Sequence, residues 1–175
     1  GAAVNALGQP EAGMGITSGD VDGDGFDDVI IGSLSGTLIP GRVDSGLAYV
    51  IFGSSTPTDV YLDTILSGSH QGFRILGAGA SSSIGTIVAG AGDVNGDGVD
   101  DVIIGAPTAQ SSPTLQTNGK TYIVFGSRVR IIGDVDLLSM PTGRTTGFTI
   151  VGASFNDQSG SAVSAAGDVN GDGVD

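Results

Sequence analysis

One aspartate-rich string occurs three times in this sequence at a nearly constant spacing. The stretch 18–32 reads SGDVDGDGFDDVIIG, the stretch 91–105 reads AGDVNGDGVDDVIIG, and 166–175 reads AGDVNGDGVD. The second copy lies 73 residues after the first and the third lies 75 residues after the second. A self-similar period of this length is typical of a fold built from stacked, equivalent units.

Two further landmarks keep the same spacing, so the repeat extends beyond the aspartate string. YVIFG at 49–53 aligns with YIVFG at 122–126, and GFRILGA at 72–78 aligns with GFTIVGA at 147–153. The alignment predicts a single repeat domain over the whole chain, with units at approximately 1–73, 74–148 and 149–175, the last of them truncated.

Each unit predicts four short β-strands. Its apolar runs are short, rich in Val, Ile, Tyr and Phe, and bounded by Gly, Asp, Asn or Ser, which is the pattern of strands and turns. In the second unit the predicted strands are 84–91, 100–105, 120–126 and 147–152. The first two are joined by the aspartate string, and the last two by the longer connection 127–146.

This order of elements favours a four-stranded antiparallel meander. Meanders repeated along a chain are the blades of a β-propeller, in which each blade packs its faces against its neighbours. The predicted fold class is therefore all-β, a partial propeller of about two blades plus the start of a third. By the 73-residue offset Gly1 aligns with Arg74, so we expect a fragment of a longer propeller, with assembly of several copies into one ring as the alternative.

The acidic residues point to cations as partners. The formal net charge is −13, from 6 Lys and Arg against 19 Asp and Glu, which disfavours nucleic acid and anionic lipid. The apolar runs are much shorter than the ~18 residues that span a bilayer, so we expect no membrane insertion. Eighteen of the acidic residues are Asp, and twelve of those lie in the three strings. Acidic residues serving only solubility would be scattered.

The string has the spacing of a calcium loop, D-x-[DN]-x-D-G-x-x-D. Oxygens at positions 1, 3, 5 and 9, a main-chain carbonyl at 7 and a turn-forming Gly at 6 match the ~6–8 oxygen ligands that Ca²⁺ takes. The third loop has no residue at position 9, so we expect it to be weak or empty. The predicted ligands are Asp20, Asp22, Asp24, the Phe26 carbonyl and Asp28 in the first loop; Asp93, Asn95, Asp97, the Val99 carbonyl and Asp101 in the second; and Asp168, Asn170, Asp172 and the Val174 carbonyl in the third.

Other interpretations of the string are possible. Asp-Gly and Asn-Gly favour hairpin turns without any metal, but a turn alone does not explain close carboxylates that repel one another in an empty loop. An EF-hand needs Glu at position 12 and flanking helices, whereas Ile31 and Ile104 stand there. A dockerin would continue into a helix and repeat at a shorter spacing. Calcium is the favoured interpretation.

The aspartate loop combined with Phe-Gly pairs (Phe52-Gly53 and Phe125-Gly126) and with Gly105-Ala106-Pro107 resembles the FG-GAP repeat. That family builds about seven propeller blades, as in the integrin α head. The resemblance implies calcium in the hairpin between the first two strands of certain blades, and a secreted or cell-surface location. It also implies further blades or copies as partners, and a role in protein or glycan binding or cell adhesion. The sequence departs from the pattern at Gly32-Ser33-Leu34 and carries no Arg-Gly-Asp.

The same resemblance implies two alternative functions, a non-catalytic module of a secreted phospholipase D-like enzyme and a purely structural repeat. Catalysis by the chain itself is not expected, because His70 is the single histidine and there is no cysteine to serve as a nucleophile. Arg128 and Arg130 lie on a connection between strands, where a solvated loop is favoured over a small contact patch. Ligand identity should be set by the loops 33–45, 54–69, 107–118 and 127–146.

Overall fold

Nine strands form two sheets in the computed structural model, which describes residues 15–33, 39–110, 117–131, 133–140 and 145–175. Residues 1–14 and parts of the loops 33–45, 107–118 and 127–146 lie outside this description. The strands in chain order are β1 (Ile16–Gly19), β2 (Asp28–Ser33), β3 (Leu47–Ile51), β4 (Gly72–Leu76), β5 (Ile87–Gly92), β6 (Asp101–Ala106), β7 (Lys120–Val124), β8 (Val135–Asp136) and β9 (Gly147–Val151).

Each sheet contains the predicted antiparallel meander. The first runs β1-β2-β3-β4 and the second runs β5-β6-β7-β9. The register repeats as well: Ile30 lies opposite Val50, and 73 residues later Ile103 lies opposite Ile123. The all-β prediction of FG-GAP-like propeller blades is confirmed, and the four strands predicted for the second unit correspond to β5, β6, β7 and β9.

The main core lies between the two sheets. Alternate residues of a strand point to the same face, so the first sheet turns one row of apolar side chains toward the second sheet and receives a matching row from it. A fully buried Val or Ile side chain contributes about 1.5–3 kcal/mol by leaving water. The completely or almost completely buried members are Ile30, Val50, Phe73 and Ile75 from the first sheet and Val102, Ile104, Tyr122 and Val124 from the second.

The contact between consecutive units is repeated along the chain. Gly46 forms a parallel bridge with Ile84 where the first unit meets the second, and Gly119 forms the same bridge with Ser159 at the start of the third. The repeat boundary at 73/74 lies inside β4, since a sequence period gives the length of a unit and leaves open where one unit ends and the next begins.

The connection between β7 and β9 returns to the first sheet, which the sequence did not predict. It adds β8 to the first sheet as a fifth strand, parallel to β4. Two arginine–aspartate pairs hold it there: Arg42 with Asp136 and Arg74 with Asp134, both at 2.6 Å. The second unit therefore contacts the first through the connection between β7 and β9, by one strand pairing and two ion pairs. In the part of the chain that the structure describes, no helix is long and apolar enough to cross a membrane.

Candidate metal centres

The first two aspartate loops are the hairpin connections that the sequence predicts. The first joins β1 to β2 and the second joins β5 to β6. Both precede a strand whose first residue is the position-9 aspartate, Asp28 in β2 and Asp101 in β6. The third loop, at 168–175, follows in the described part of the third unit. The two complete loops therefore occupy equivalent places in the two sheets.

Each loop is wound around the carboxylate at its first position. In the first loop, Asp20 accepts hydrogen bonds from the backbone N–H groups of Asp24 and Gly25, both at 3.0 Å. Asp93 and Asp168 accept the equivalent bonds at 2.7–3.1 Å. At Asp168 the backbone N–H donors hold the pKa of the carboxyl below its usual value. In all three loops the backbone fixes the first carboxylate in place.

Positions 3 and 5 form further side-chain turns. Asp22 Oδ1 accepts the N–H of Asp24 at 3.2 Å, and Asp24 Oδ1 accepts the N–H of Phe26 at 3.0 Å. The same two bonds occur in the second loop, where Asn95 Oδ1 accepts the N–H of Asp97 at 2.9 Å and Asp97 Oδ1 accepts the N–H of Val99 at 3.0 Å. The short side chains at alternate positions are therefore ordered by the loop's own backbone, as Asx-turns are.

The donor set of the first loop fits a single oxygen-liganded cation. One oxygen from each of Asp20, Asp22 and Asp28 lies within 4.8 Å of the others. Oxygens that share one Ca²⁺ at ~2.3–2.6 Å are separated by no more than ~5 Å. The geometry and the chemistry of the donors therefore both suit calcium at this loop.

The position-9 aspartates have a second role that the sequence analysis missed. Asp28 is fully buried, and its two oxygens accept the N–H of Val21 at 3.0 Å and of Gly53 at 2.8 Å. Asp101 is buried in the same way and accepts the N–H groups of Val94 and Gly126 at 2.9 Å each. The glycine of each Phe-Gly landmark is therefore the residue that ties the end of the sheet to the loop. In both units the aspartate and the glycine are 25 residues apart, and this repeated spacing is the sequence signal that could have revealed the hydrogen bond.

Burial raises the pKa of both position-9 carboxyls. It disfavours the charged form and moves the pKa of Asp28 and of Asp101 to about 6, against the opposing effect of the backbone N–H donors. Neighbouring aspartates add to the rise. A cation at the loop would act in the opposite direction and favour ionisation.

Arg130 contacts the first loop while its side chain stays 39% exposed, so this residue is both solvated and part of a contact. Its guanidinium pairs with Asp22 Oδ2 at 2.6 Å and with Asp24 Oδ2 at 3.2 Å. It also stacks over the ring of Phe52 at 4.5 Å from the centroid, a favourable cation–π contact. Its neighbour Arg128 donates to the carbonyl of Gly98 in the second loop at 2.9 Å. Arg130 lies 106 and 108 residues from its partners, so no local pattern revealed the pairing.

The third loop and the lone histidine complete the set of predicted residues. In the third loop Asp168 accepts the same backbone hydrogen bonds as Asp20 and Asp93 do. At positions 3 and 5, Asn170 accepts the N–H of Asp172 and Asp172 accepts the N–H of Val174. The expectation that this site is weak or empty stays a prediction.

His70 is exposed and lines a cleft of about 440 Å³ beside Arg130. Within the described residues its ring has no hydrogen-bond partner.

Comparison with known proteins gives one family and two kinds of relative. The model of the FG-GAP repeat matches residues 12–51 and 85–124. The chain is 32% identical over 153 residues to a phosphatidylinositol-glycan-specific phospholipase D of Bos taurus, covering 84% of this chain and 17% of that protein. The protein of the same name from Dictyostelium discoideum is 32% identical over 171 residues, covering 91% of this chain and 17% of that protein.

A more distant similarity is to integrin alpha pat-2 of Caenorhabditis elegans, 28% identical over 180 residues, covering 92% of this chain and 12% of the integrin. The chain thus spans less than a fifth of the length of each of these relatives. The two stretches matched by the family model contain β1–β3 and β5–β7, each with its complete aspartate hairpin. From the repeated hairpins, the two equivalent sheets and these matches, the chain belongs to the FG-GAP repeat family.

Proposed function

We propose that this chain is a calcium-stabilised segment of an extracellular FG-GAP propeller that binds a protein or glycan ligand, as in cell adhesion. The observation that carries the proposal is the first loop, where Asp20, Asp22 and Asp28 bring one oxygen each within 4.8 Å of the others. The second loop repeats its hydrogen bonds with Asp93 and Asp101. Carboxylate and carbonyl oxygens are the ligands that calcium prefers.

Calcium supplies positive charge to a loop that is strongly acidic. The first loop holds five aspartates within nine residues and the second holds four, so in the absence of a cation the folded hairpin brings like charges together. The ligands come from the loop itself and from the first residue of β2 or β6. A bound ion would therefore fasten the hairpin to the sheet and stabilise the blade.

The binding role is supported by the family and by the arrangement of loops on a rigid scaffold. Loops carried by a stable sheet framework are the usual place for ligand contacts, and the described loop 54–69 leaves Tyr61 and Leu66 largely exposed. Extracellular calcium modules bind at roughly 10⁻⁴–10⁻³ M, so the proposed sites would stay loaded outside the cell. The similarity to an integrin α chain supports that location. In this proposal the chain itself is not an enzyme.

A second candidate function is that of a non-catalytic propeller module attached to a secreted enzyme. It is favoured by the higher identity to phosphatidylinositol-glycan-specific phospholipase D, 32% against 28% for the integrin. A hydrolase domain in the same polypeptide would support this candidate, whereas a membrane anchor would support adhesion. A purely structural repeat is the third candidate.

The metal part of the proposal is tested by thermal unfolding with calcium and with chelator. We expect calcium to raise the Tm of the chain, and we expect the double variant Asp24→Ala with Asp97→Ala to lose that gain. Asp63→Ala is the matched control, since Asp63 is an exposed aspartate of a short 3-10 turn outside the three aspartate loops. A Tm that calcium does not change would overturn the metal sites. Light scattering on the same samples reports whether one chain or several copies assemble.

The binding part is tested on a glycan array and on candidate extracellular proteins, each with calcium and with chelator. Retention of a ligand only with calcium, and its loss in the double loop variant, supports the binding role. Calcium-dependent stability without any retained ligand would favour the structural repeat instead.

A further inference from the structure

The two complete aspartate loops contact each other across the two sheets. Asp100, at position 8 of the second loop, donates its backbone N–H to the carbonyl of Asp20 at 3.1 Å. In return, its Oδ2 accepts the N–H of Asp20 at 3.1 Å. Asp20 is the first predicted ligand of the first loop, and Asp101, the last predicted ligand of the second, follows Asp100 directly. One aspartate thus joins the two candidate sites.

The same pair of bonds joins the second and third loops. Asp175 donates its N–H to the carbonyl of Asp93 at 3.1 Å and accepts the N–H of Asp93 on its Oδ2 at 3.2 Å. An arrangement that recurs between two different pairs of loops is a property of the repeat. Position 8 is Asp in all three copies, although it is not among the predicted calcium ligands.

The residue that precedes each first ligand leaves room for this contact. A Cβ added at Gly19 would stand 3.1 Å from Asp100 Oδ2, and one added at Gly92 would overlap Asp175 Oδ2. The Gly-Asp pair that opens each loop therefore has a physical reason: the glycine lets the carboxylate of the next loop reach the backbone of the first ligand.

We propose that the aspartate loops form a linked row, in which the position-8 aspartate of each loop fixes the first ligand of the loop before it and couples calcium binding at the two. The inference rests on the proposed calcium sites. An ion that orders the second loop holds Asp100 in place, and Asp100 then holds the backbone of Asp20 in its binding position. When one calcium ion has already ordered a contact that both loops share, the next ion binds at a lower cost in conformational entropy.

The row is directional. Asp100 acts on the first loop and Asp175 acts on the second, whereas Asp27, the position-8 residue of the first loop, has only the hydroxyl of Ser18 at 3.4 Å as a partner among the described residues. Asp27 is therefore a matched control within the same chain, with the same residue at the same loop position and no second loop in contact with it.

The experiment is a calcium titration of the full, ¹⁵N-labelled chain followed by NMR. The amides of Gly25 and Gly98 donate to the first ligands of their loops and report the two loops separately. Asp97→Ala disables the second loop, and we expect it to weaken calcium binding at Gly25 roughly fivefold, the lower end of typical coupling between sites. In an Asp100→Ala background, Asp97→Ala is expected to leave the Gly25 midpoint unchanged.

Two further variants keep the test decisive. Asp27→Ala should preserve the full effect of Asp97→Ala at Gly25. Gly19→Ala, which crowds the contact from the other side, should reduce that effect as Asp100→Ala does, and it replaces that variant if Asp100→Ala does not fold. A Gly25 midpoint that is indifferent to Asp97→Ala in the parent chain overturns the coupling and leaves the calcium sites standing. Calcium that moves neither amide overturns the proposed function, and the coupling with it.

Discussion

The first and second aspartate loops share most of their backbone hydrogen bonds and differ in the residues that surround them. Position 3 is Asp22 in the first loop and Asn95 in the second, so the first carries one more negative charge. Arg130 pairs with Asp22, and among the described residues no ion pair is made to a carboxylate of the second loop. The first loop therefore has five carboxylates and one neighbouring guanidinium, whereas the second loop has four carboxylates. The motif sets the conformation of the loop, and the neighbouring unit balances its charge.

Position 7 shows a second difference. The side chain of Phe26 is 43% exposed, whereas that of Val99 is 2% exposed. Val99 lies where the second sheet packs on the first, and Phe26 lies on the open face of the first sheet. Equivalent residues of a repeat can thus be surface in one copy and core in the next.

The largest expected effect tests what the loops have in common. Asp101→Ala leaves the N–H groups of Val94 and Gly126 without their acceptor. Asp28→Ala leaves the N–H of Gly53 without its acceptor, whereas the N–H of Val21 keeps the Gly19 carbonyl at 3.1 Å. An unsatisfied buried donor costs about 1–3 kcal/mol, so we expect each variant to lower the free energy of unfolding in chelator by about 2–3 kcal/mol, measured by urea denaturation. A cost much larger at one aspartate than at the other would show that the two loops are not equivalent. Asp63→Ala is again the control.

The next effect tests position 7. Val99→Phe places a larger side chain in a packed interface, and overpacking costs about 1–3 kcal/mol. Phe26→Val removes an exposed ring, so we expect a change below about 0.5 kcal/mol. Both are measured by urea denaturation in chelator. Equal costs for the two substitutions would contradict the different burial of the two positions.

A smaller effect tests the charge balance. Arg130→Gln removes the cation beside Asp22, so the first loop should bind calcium about fivefold more tightly, and in chelator the chain should lose about 1 kcal/mol, as for a partly exposed ion pair. Isothermal titration calorimetry and urea denaturation measure the two quantities. Lys120→Gln, at the far end of β7, is the charge control. In an Asp22→Asn background Arg130→Gln should change calcium affinity much less, and an undiminished change there would refute the pairing.

The last prediction is a pH dependence that calcium should invert. The pKa of Asp28 and of Asp101 is raised to about 6, above the value of about 3.9 in an unfolded chain. The folded chain therefore takes up these protons first, and the resulting stability is complete below about pH 4 and lost as the pH rises through about 6.

In chelator, the Tm should consequently rise as the pH is lowered from about 7 to about 5. With saturating calcium it should fall over the same range, because metal ligands must be deprotonated. The measurement is a set of melts at several pH values. Asp28→Asn combined with Asp101→Asn should remove the rise in chelator, and persistence of the rise would assign it to other groups.

Much of the local structure followed from the sequence. Short runs rich in Val, Ile, Tyr and Phe and bounded by turn residues predicted the strands, and the 73-residue offset predicted the equivalence of the two sheets. Both predictions succeed because a strand and a hairpin depend on neighbours in the chain. Three of the unpredicted features join distant residues: β8 beside β4, Arg74 with Asp134, and Arg130 with Asp22. Pairings across 60 or more residues leave no periodic trace in a single sequence.

The sequence by itself determined the repeat, the strands and the nine-position loop with its candidate calcium ligands, because spacing along the chain dictates which oxygens a tight turn can bring together. Only the tertiary structure decided which copy of the loop has an arginine beside it, which position-7 side chain is buried, and which aspartate reaches the neighbouring loop. Those contacts depend on how one sheet packs against the next, and packing brings together residues that the chain keeps far apart.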